Sequence, residues 1–245
     1  EFVKSLTGNG YLLEALTPST EYCFEVSAVR NDYETEKVEA CGSTAAIDFN
    51  DENLPTEFYF DFNDQLLDEF TLVDADGDGN GWSASSTANG YDNTFAIRSY
   101  SYWYAPLTPN NYIYTKRPYR ITETSVVKLN AKCGLGMNTD LGEHYAVVVS
   151  EDGENWDIVF EETIEHAEWT NTEVSLAEYA GKGVLVGILH YNCTGLYFLA
   201  VDNFTLETLE VPAAPVVTAT AVNSSTISLT WAAVEGATSY NVYLN

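Results

Sequence analysis

Short runs in which apolar and polar residues alternate recur along the whole chain of 245 residues. Such runs lie at residues 22–30, 58–62, 125–131, 144–150, 184–190, 197–206 and 226–231. Turn-forming segments such as Glu151-Asp152-Gly153 separate them. A period of two places alternate side chains on opposite faces of a strand, and no segment shows a sustained apolar stripe of helical period. The sequence therefore predicts an all-β protein built from β-sandwiches.

The charge of the chain argues against several classes of function. Ten Lys and Arg against 37 Asp and Glu give a formal net charge of −27. Because phosphate contacts need clustered cations, we expect no nucleic-acid partner. No apolar run approaches the ~20 residues that a membrane-spanning helix needs, so we expect no membrane insertion. The many carboxylates instead supply oxygen ligands for cations.

Motifs of the common catalytic sites are missing from the sequence. It contains no Gly-x-Ser-x-Gly, no His-Glu-x-x-His and no Gly-x-x-x-x-Gly-Lys pattern. Glycoside hydrolysis needs a pair of carboxylates, but a chain with 37 acidic residues offers such pairs almost everywhere. A pair of acidic residues is therefore no evidence for a glycosidase here. We interpret His144 and His190, which lie in alternating runs, as core or edge residues. We therefore expect no catalytic residue in this chain.

Residues 1–45 and 214–245 carry the two halves of one pattern. The segment from Leu16 to Tyr22, LTPSTEY, leads directly into an alternating run. It resembles the E–F corner of fibronectin type III modules, with Tyr22 as the tyrosine corner. Residues 214–245 resemble the first half of such a module, with Trp231 as its core tryptophan.

Each half alone would expose unpaired strand edges. We therefore expect the halves to pair, either within one chain or between neighbouring chains, with frayed ends as the alternative. The chain starts inside structured-looking sequence, and we expect it to belong to a longer protein.

Residues 57–208 resemble the cleaved adhesin domain family, the haemagglutinin/adhesin modules of gingipains and related surface proteins of the Bacteroidetes. The most specific segment is residues 71–82, TLVDADGDGNGW. Four further segments match the family in order: Phe60-Asp61-Phe62-Asn63, residues 107–113, residues 143–147 and residues 190–204. The resemblance implies a jelly-roll β-sandwich, a secreted or cell-surface location, and a non-catalytic module whose parent protein would carry any peptidase elsewhere.

An alternating acidic segment is the strongest chemical signal. Asp74, Asp76 and Asp78 are separated by the small residues Ala75 and Gly77. This spacing lets several oxygens face one point, as Ca²⁺ requires. The segment is not an EF-hand loop, because its twelfth position is not Glu. We predict a calcium site here, with a solvated acidic turn as the alternative.

The resemblance to jelly-roll folds suggests a second cation site. In such folds a structural Ca²⁺ often joins the first strand to the last. The matching positions are Asp61, Asn63 and Asp202, with Asp64 as an extension. The alternative is that Asp61 and Asp202 face solvent. Glu143 and Asp140, in a Gly-rich loop, are weaker candidates for ligands of either cation.

The chain has four cysteines, an even number. Cys23 and Cys41 lie on the presumed F and G strands of the type III half. Because those strands are antiparallel neighbours, we predict a disulfide between them. Cys133 and Cys193 match cysteine positions of the adhesin family, and the sequence leaves open whether they are bonded to each other.

The aromatic stretch that contains Tyr102, Trp103 and Tyr104 is the best candidate recognition surface. Tyr and Trp give large, rigid contact areas with a polar edge. The alternative is that most of these rings pack the sandwich core. We predict attachment to host or other extracellular proteins, or to glycans. Two further functions stay open: a carbohydrate-binding module of a secreted hydrolase, which needs exposed and roughly coplanar rings, and a structural spacer in a surface stalk.

Overall fold

The computed structural model describes residues 7–13, 16, 18–31, 33–85, 90–135 and 141–244. Its regular structure is almost entirely β, with single 3-10 turns at Tyr91–Asn93 and Ala177–Tyr179. None of the helices found in these ranges is long and apolar enough to cross a membrane. In chain order the strands are β1 (Glu21–Val26), β2 (Val29–Arg30), β3 (Tyr33–Glu34), β4 (Val38–Ser43), β5 (Phe58–Phe60), β6 (Phe70–Asp74), β7 (Ser83–Ala84), β8 (Ile97–Tyr100), β9 (Tyr102–Trp103), β10 (Ala105–Pro106), β11 (Asn111–Thr115), β12 (Tyr119–Arg120), β13 (Ser125–Cys133), β14 (Glu143–Ser150), β15 (Asp157–Ile164), β16 (Thr170–Ser175), β17 (Gly183–His190), β18 (Phe198–Thr208), β19 (Val217–Asn223) and β20 (Thr226–Trp231).

Two six-stranded antiparallel sheets form a β-sandwich. The first sheet has the order β15-β14-β17-β11-β6, and β12 also pairs with β17. The second sheet has the order β16-β13-β18-β8-β7, and β5 also pairs with β18. Most neighbours in the sheets are distant in sequence, as expected of a jelly roll rather than of a meander. The predicted all-β fold class, a jelly-roll β-sandwich, is confirmed.

Alternate residues of the central strands form the core between the sheets. Val186 and Ile188 of β17 belong to one buried cluster together with Leu199 and Val201 of β18. Phe204, further along β18, extends this cluster and has no exposed surface. Burial of such apolar side chains is the main driving force for folding, so the period-two pattern of the sequence directly specifies the sandwich.

Strand β17 is buried on both of its faces. All eight of its residues are buried. On the outer side, Tyr112, Trp156 and Tyr191 pack against a small apolar cluster. Gly187 allows β11 to approach closely, because a Cβ at this position would lie 2.6 Å from the Cβ of Tyr114. A side chain here would force the two strands apart.

The terminal segments form small two-stranded sheets. Strand β1 pairs with β4, β2 with β3, and β19 with β20. Within the described ranges, the strands of residues 1–45 do not pair with those of residues 214–245. Apolar side chains such as Val38 and Ile227 are exposed on these hairpins. The chain therefore does not show the pairing in cis, and pairing between neighbouring chains stays a prediction. Thr17 of the tyrosine-corner motif lies outside the described residues.

Replacing Leu199 by Ala tests the sandwich core. Leu199 has no exposed surface, so its truncation leaves a cavity, and we expect the free energy of unfolding to fall by about 2–5 kcal/mol. Leu135→Ala, at a position that is 58% exposed, is the matched control and should change it by less than about 0.5 kcal/mol. Urea denaturation followed by tryptophan fluorescence measures both. Equal losses in the two variants would contradict the described core.

Candidate functional site

The acidic loop, defined as residues 74–80, follows β6 at one end of the first sheet. Asp74 Oδ1 accepts the backbone N–H of Gly77 at 2.9 Å. Gly77 has a φ of +72°, which is the left-handed conformation that glycine adopts without strain. Carboxylate oxygens of Asp74, Asp76 and Asp78 lie within 4.8 Å of one another. The turn therefore brings together the three carboxylates that the sequence singles out.

Crowding of these carboxylates separates their pKa values. A hydrogen bond shared with Asp76, followed by the N–H of Gly79, lowers the pKa of Asp74. Asp76 is exposed as a residue, yet partial desolvation of its carboxyl, the hydrogen bond to Asp74 and the charge of Asp78 raise its pKa to about 6. Without a cation, Asp76 therefore keeps a proton well above its ordinary range. A divalent cation could take the place of that proton.

A buried acceptor oxygen lies at the base of the acidic loop. Asn111 of β11 is buried and stands opposite Asp74 in the strand register. Its Nδ2 donates to Ser99 Oγ at 3.0 Å, whereas its Oδ1 has no hydrogen-bond partner among the described residues. A Cβ at Gly81 would lie 3.5 Å from the Cβ of Asp74 and 4.0 Å from this Oδ1. An unpaired buried acceptor is costly, and a bound cation would satisfy it.

The second predicted cation site surrounds Asp202 on β18. Asp202 is fully buried, and its Oδ2 accepts the backbone N–H of Tyr91 at 2.8 Å. Asn63 Oδ1 accepts the backbone N–H of Phe95 at 3.2 Å. Burial raises the pKa of Asp202, and the negative charge of Asp61 raises it further. The structure therefore places Asn63 and Asp202 against one short segment, residues 91–95, and Asp61 near enough to Asp202 to affect its pKa.

Backbone strain is concentrated in the same region. Of the nine residues other than glycine that have left-handed φ values in the described part of the chain, five lie here: Phe62 (+53°), Gln65 (+59°), Asp92 (+56°), Asn93 (+62°) and Asn203 (+50°). Such conformations persist only where the surroundings hold them, and they often mark functional sites. Asp64, the extension of the predicted ligand set, accepts the backbone N–H of Leu66 at 2.9 Å and so closes a local turn.

The aromatic ribbon, defined as β9 and β10 with Tyr104 between them, projects two large rings. Trp103 is 46% exposed and Tyr104 is 89% exposed, whereas Tyr102 is half-buried. The ring centroids of Trp103 and Tyr104 lie 5.2 Å apart, and their planes meet at 75°. These two rings do not pack in the core. They are also not coplanar.

The ribbon is anchored at the buried start of β18. Ser101 donates its backbone N–H to the carbonyl oxygen of Tyr197 at 2.9 Å. The ring of Tyr100 lies 5.0 Å from that of Trp103 and 5.5 Å from that of the buried Phe198. The exposed rings therefore continue an aromatic series that starts inside the sandwich.

A buried polar cluster, which the sequence did not reveal, lies next to the root of the ribbon. Glu143 and His190 have no exposed surface, and Cys193 is 9% exposed. Glu143 Oε2 lies 3.0 Å from His190 Nε2 and 3.2 Å from Cys193 Sγ. Glu143 Oε1 accepts hydrogen bonds from Ser101 Oγ at 2.7 Å and from the N–H of Tyr197 at 2.9 Å. The cluster thus holds both residues that connect the ribbon to β18.

Hydrogen bonding keeps the Glu143 carboxyl ionised. Burial alone would raise its pKa, but the hydrogen bonds from His190, Ser101 and Tyr197 outweigh burial, and the pKa lies below its ordinary value. Glu143 belongs to this cluster and not to the group formed by the acidic loop. Asp140, the other weaker candidate, lies outside the described residues.

The cysteines form one disulfide and two free thiols in the structure. Cys23 and Cys41 stand directly opposite each other on β1 and β4, and their sulfurs are bonded across a Cα–Cα distance of 4.0 Å. Cys133 and Cys193 are free and buried. The Cys133 thiol donates to the carbonyl oxygen of Ile164 at 2.9 Å. The cross-link therefore joins the two long strands of the N-terminal hairpin.

A shallow polar groove of about 380 Å³ lies on the outer face of the second sheet. Its lining consists of amide and hydroxyl groups, one leucine and an ion pair of Lys128 with Glu173 at 3.5 Å. The lining residues are Lys128, Leu129, Asn130, Asn171, Thr172, Glu173, Asn203 and Thr205. Among the described residues, the lining of this groove contains no histidine.

Comparison with known proteins places the sandwich in a family. Residues 56–206 match the Cleaved Adhesin Domain. The chain is 30% identical over 163 residues to gingipain R1 and to hemagglutinin A, and 31% identical over 165 residues to a Lys-gingipain, all from Porphyromonas gingivalis. Each alignment covers 55% of this chain, and the chain spans only 7–9% of the length of these relatives.

Solved structures show the same fold. The K1 cleaved adhesin domain of Lys-gingipain from Porphyromonas gingivalis superposes with a TM-score of 0.55 at 24% identity, over 63% of this chain and 99% of that domain. The K2 domain of Lys-gingipain gives 0.52 at 26% identity, over 62% and 99%. The fold defines a β-sandwich module. The chain belongs to the cleaved adhesin domain family, as its motifs predict, and this domain is a non-catalytic module.

Replacing Asp76 by Asn tests the crowding of the acidic loop when divalent cations are removed. The pKa of Asp76 is about 6 in the folded chain and about 3.9 in an unfolded one, so the folded state binds the extra proton. The parent should therefore lose stability relative to Asp76→Asn as the pH rises from about 4 to about 6, and then stay level. Melting temperatures of both proteins in chelator measure this. A pH-independent difference would show that Asp76 titrates normally.

Proposed function

We propose that this chain is an extracellular adhesion module that binds proteins or glycans through its aromatic ribbon. The observation that carries the proposal is the exposure of Trp103 and Tyr104 on a ribbon that is fixed to the sandwich. Rigid Trp and Tyr side chains give much contact area at a low cost in conformational entropy. Membership of the adhesin family supports attachment as the function. One of the relatives is named hemagglutinin A.

An extracellular location follows from the same proposal. The Cys23–Cys41 disulfide is of the kind that persists in oxidising compartments. The net charge of −27 favours solubility and opposes docking on an anionic membrane surface. Any peptidase of a longer parent protein would lie outside this module.

Structural calcium is the second part of the proposal. The acidic loop offers three clustered carboxylates, and the unpaired Oδ1 of Asn111 borders it. Asp61, Asn63 and Asp202 offer oxygens where the chain leaving β5 meets β18. Ca²⁺ takes oxygen ligands from carboxylates and amides in flexible geometry. Ions here would stabilise the ends of the sandwich and hold its loops, without polarising a substrate.

Removing calcium should lower the melting temperature. A cation that binds only the native state stabilises it by mass action, and at a hundredfold excess over Kd we expect a shift of about 5–10 °C. The shift is the difference between melting temperatures in Ca²⁺ and in chelator. Asp202→Ala and Asp76→Asn should each reduce this shift, whereas Glu36→Gln, an exposed carboxyl on the N-terminal hairpin, should keep it whole. Identical melting of the parent in Ca²⁺ and chelator would overturn the calcium proposal.

Loss of either exposed ring should weaken adhesion. Glycan arrays and immobilised extracellular matrix proteins identify the ligand of the parent chain. We expect Trp103→Ala and Tyr104→Ala each to weaken binding about tenfold, because such rings carry most of the energy of an interface. Tyr33→Ala removes a tyrosine that is 83% exposed outside the sandwich and should leave binding unchanged. Unchanged binding in both ribbon variants would exclude the ribbon as the contact surface.

The other functions have less support. A carbohydrate-binding module of a secreted hydrolase needs coplanar rings, and the planes of Trp103 and Tyr104 meet at 75°. A structural spacer in a stalk would show no ligand in either screen. We further propose that the terminal segments of neighbouring chains pair with each other, because apolar side chains of the terminal hairpins are exposed.

A further inference from the structure

We propose that Glu143, His190 and Cys193 form a binding site for a thiophilic divalent cation, Zn²⁺ in particular, beside the root of the aromatic ribbon. Glu143 Oε2, His190 Nε2 and Cys193 Sγ form a triangle with sides of 3.0, 3.2 and 3.2 Å. A carboxylate, an imidazole and a thiolate are the three ligand types of protein zinc sites. These residues come from two strands and the turn after β17, so only the folded chain assembles them.

The dimensions of the triangle suit a tetrahedral ion. Zn²⁺ lies about 2.3 Å from sulfur and about 2.0–2.1 Å from nitrogen or oxygen. In a tetrahedron such bonds separate the ligand atoms by roughly 3.3–3.6 Å. The three atoms would therefore move apart by only a few tenths of an ångström. The sulfur and nitrogen ligands distinguish this site from the all-oxygen sets proposed for calcium.

Surrounding hydrogen bonds already orient the ligands. Ser99 Oγ lies 2.7 Å from His190 Nδ1 and is itself held by Asn111 Nδ2 at 3.0 Å. When the cation binds, His190 would give up the proton that its Nε2 shares with Glu143. Its Nδ1–H would then donate to Ser99, and the lone pair of Nε2 would point to the ion. Ser101 Oγ and the Tyr197 N–H hold the other oxygen of Glu143. Such partners fix the orientation of metal ligands in known sites.

The surroundings of Cys193 give a cation access to the site. A cation that binds Cys193 Sγ displaces the thiol proton, which passes to solvent. Cys193 retains a small exposed area, which gives an ion a route to the site. The Cys133 thiol donates to the carbonyl oxygen of Ile164, so we assign it no role as a ligand. The fourth position is left to solvent.

The site lies where it could stiffen the ribbon. Ser101 and Tyr197 contact Glu143 through their polar groups and also bond to each other at the root of the ribbon. A cation that fixes Glu143 would fix this junction as well. The inference concerns metal binding alone, and it stands whether or not the ribbon proves to be the adhesive surface.

Cobalt spectroscopy tests the site in the full chain. The protein is treated with chelator and reducing agent, saturated with Ca²⁺ to fill oxygen sites, and titrated with Co²⁺. We expect one equivalent to produce a sulfur-to-cobalt charge-transfer band and the visible bands of a tetrahedral ion, and Zn²⁺ to abolish both. Cys193→Ser should lose the charge-transfer band. Ser99→Ala should weaken Zn²⁺ binding about 10–100-fold, as removal of such supporting hydrogen bonds does elsewhere.

Two matched variants define the controls. Cys133→Ser removes the other free thiol, and His144→Gln removes a histidine near the surface that lies 3.5 Å from Glu161. Both should keep the band and the affinity. If Cys193→Ser does not fold, Ser99→Ala and X-ray absorption of the zinc-loaded parent, which counts sulfur ligands, decide the question. The site would be overturned if the parent showed no charge-transfer band, or if the band survived in folded Cys193→Ser or was lost in folded Cys133→Ser. Unchanged Zn²⁺ affinity in Ser99→Ala, or zinc bound without a sulfur ligand, would overturn it as well.

Discussion

Packing of the two sheets through the alternate residues of β14, β17, β13 and β18 is the constraint on which the rest of the structure depends. Strand β17 is buried on both faces. A shift of one residue in its pairing would exchange every inward side chain for an outward one, so its register is fixed. With that register fixed, His190 at the end of β17 must face the same interior as Ile188. The apolar core thereby also positions the polar groups at its rim.

Those rim positions connect the scaffold to the surface that we propose for adhesion. Glu143 enters the interior at the start of β14, and its negative charge is stabilised there by hydrogen bonds rather than by solvent. Its partners Ser101 and Tyr197 form the junction of the ribbon with β18. The exposed rings of Trp103 and Tyr104 are consequently supported by buried contacts. A surface of this kind can bind without first being ordered, which lowers the entropic cost of association.

The local pattern of the sequence predicts the sheets, but it does not predict which residues of distant strands come into contact. Alternation is enough to predict the sandwich, and the spacing of Asp74, Asp76 and Asp78 is enough to predict that their oxygens converge. Asn111 joins them only through the pairing of β11 with β6, which no local pattern encodes. The inward position of Glu143 follows from its parity with Tyr145, yet its contact with His190 spans 47 residues. The sequence likewise could not decide that Cys133 and Cys193 remain free.

Hydrogen–deuterium exchange of the full chain, with and without the ligand found by array screening, tests most directly whether a rigid sandwich presents the aromatic ribbon to its partner. We predict that added protection is confined to residues 101–107 and to the supporting segment 195–197, while the strands of both sheets exchange equally slowly in the free and bound states. Protection on the polar groove around Asn130 and Asn171, or on the terminal hairpins, with none at the ribbon, would contradict this.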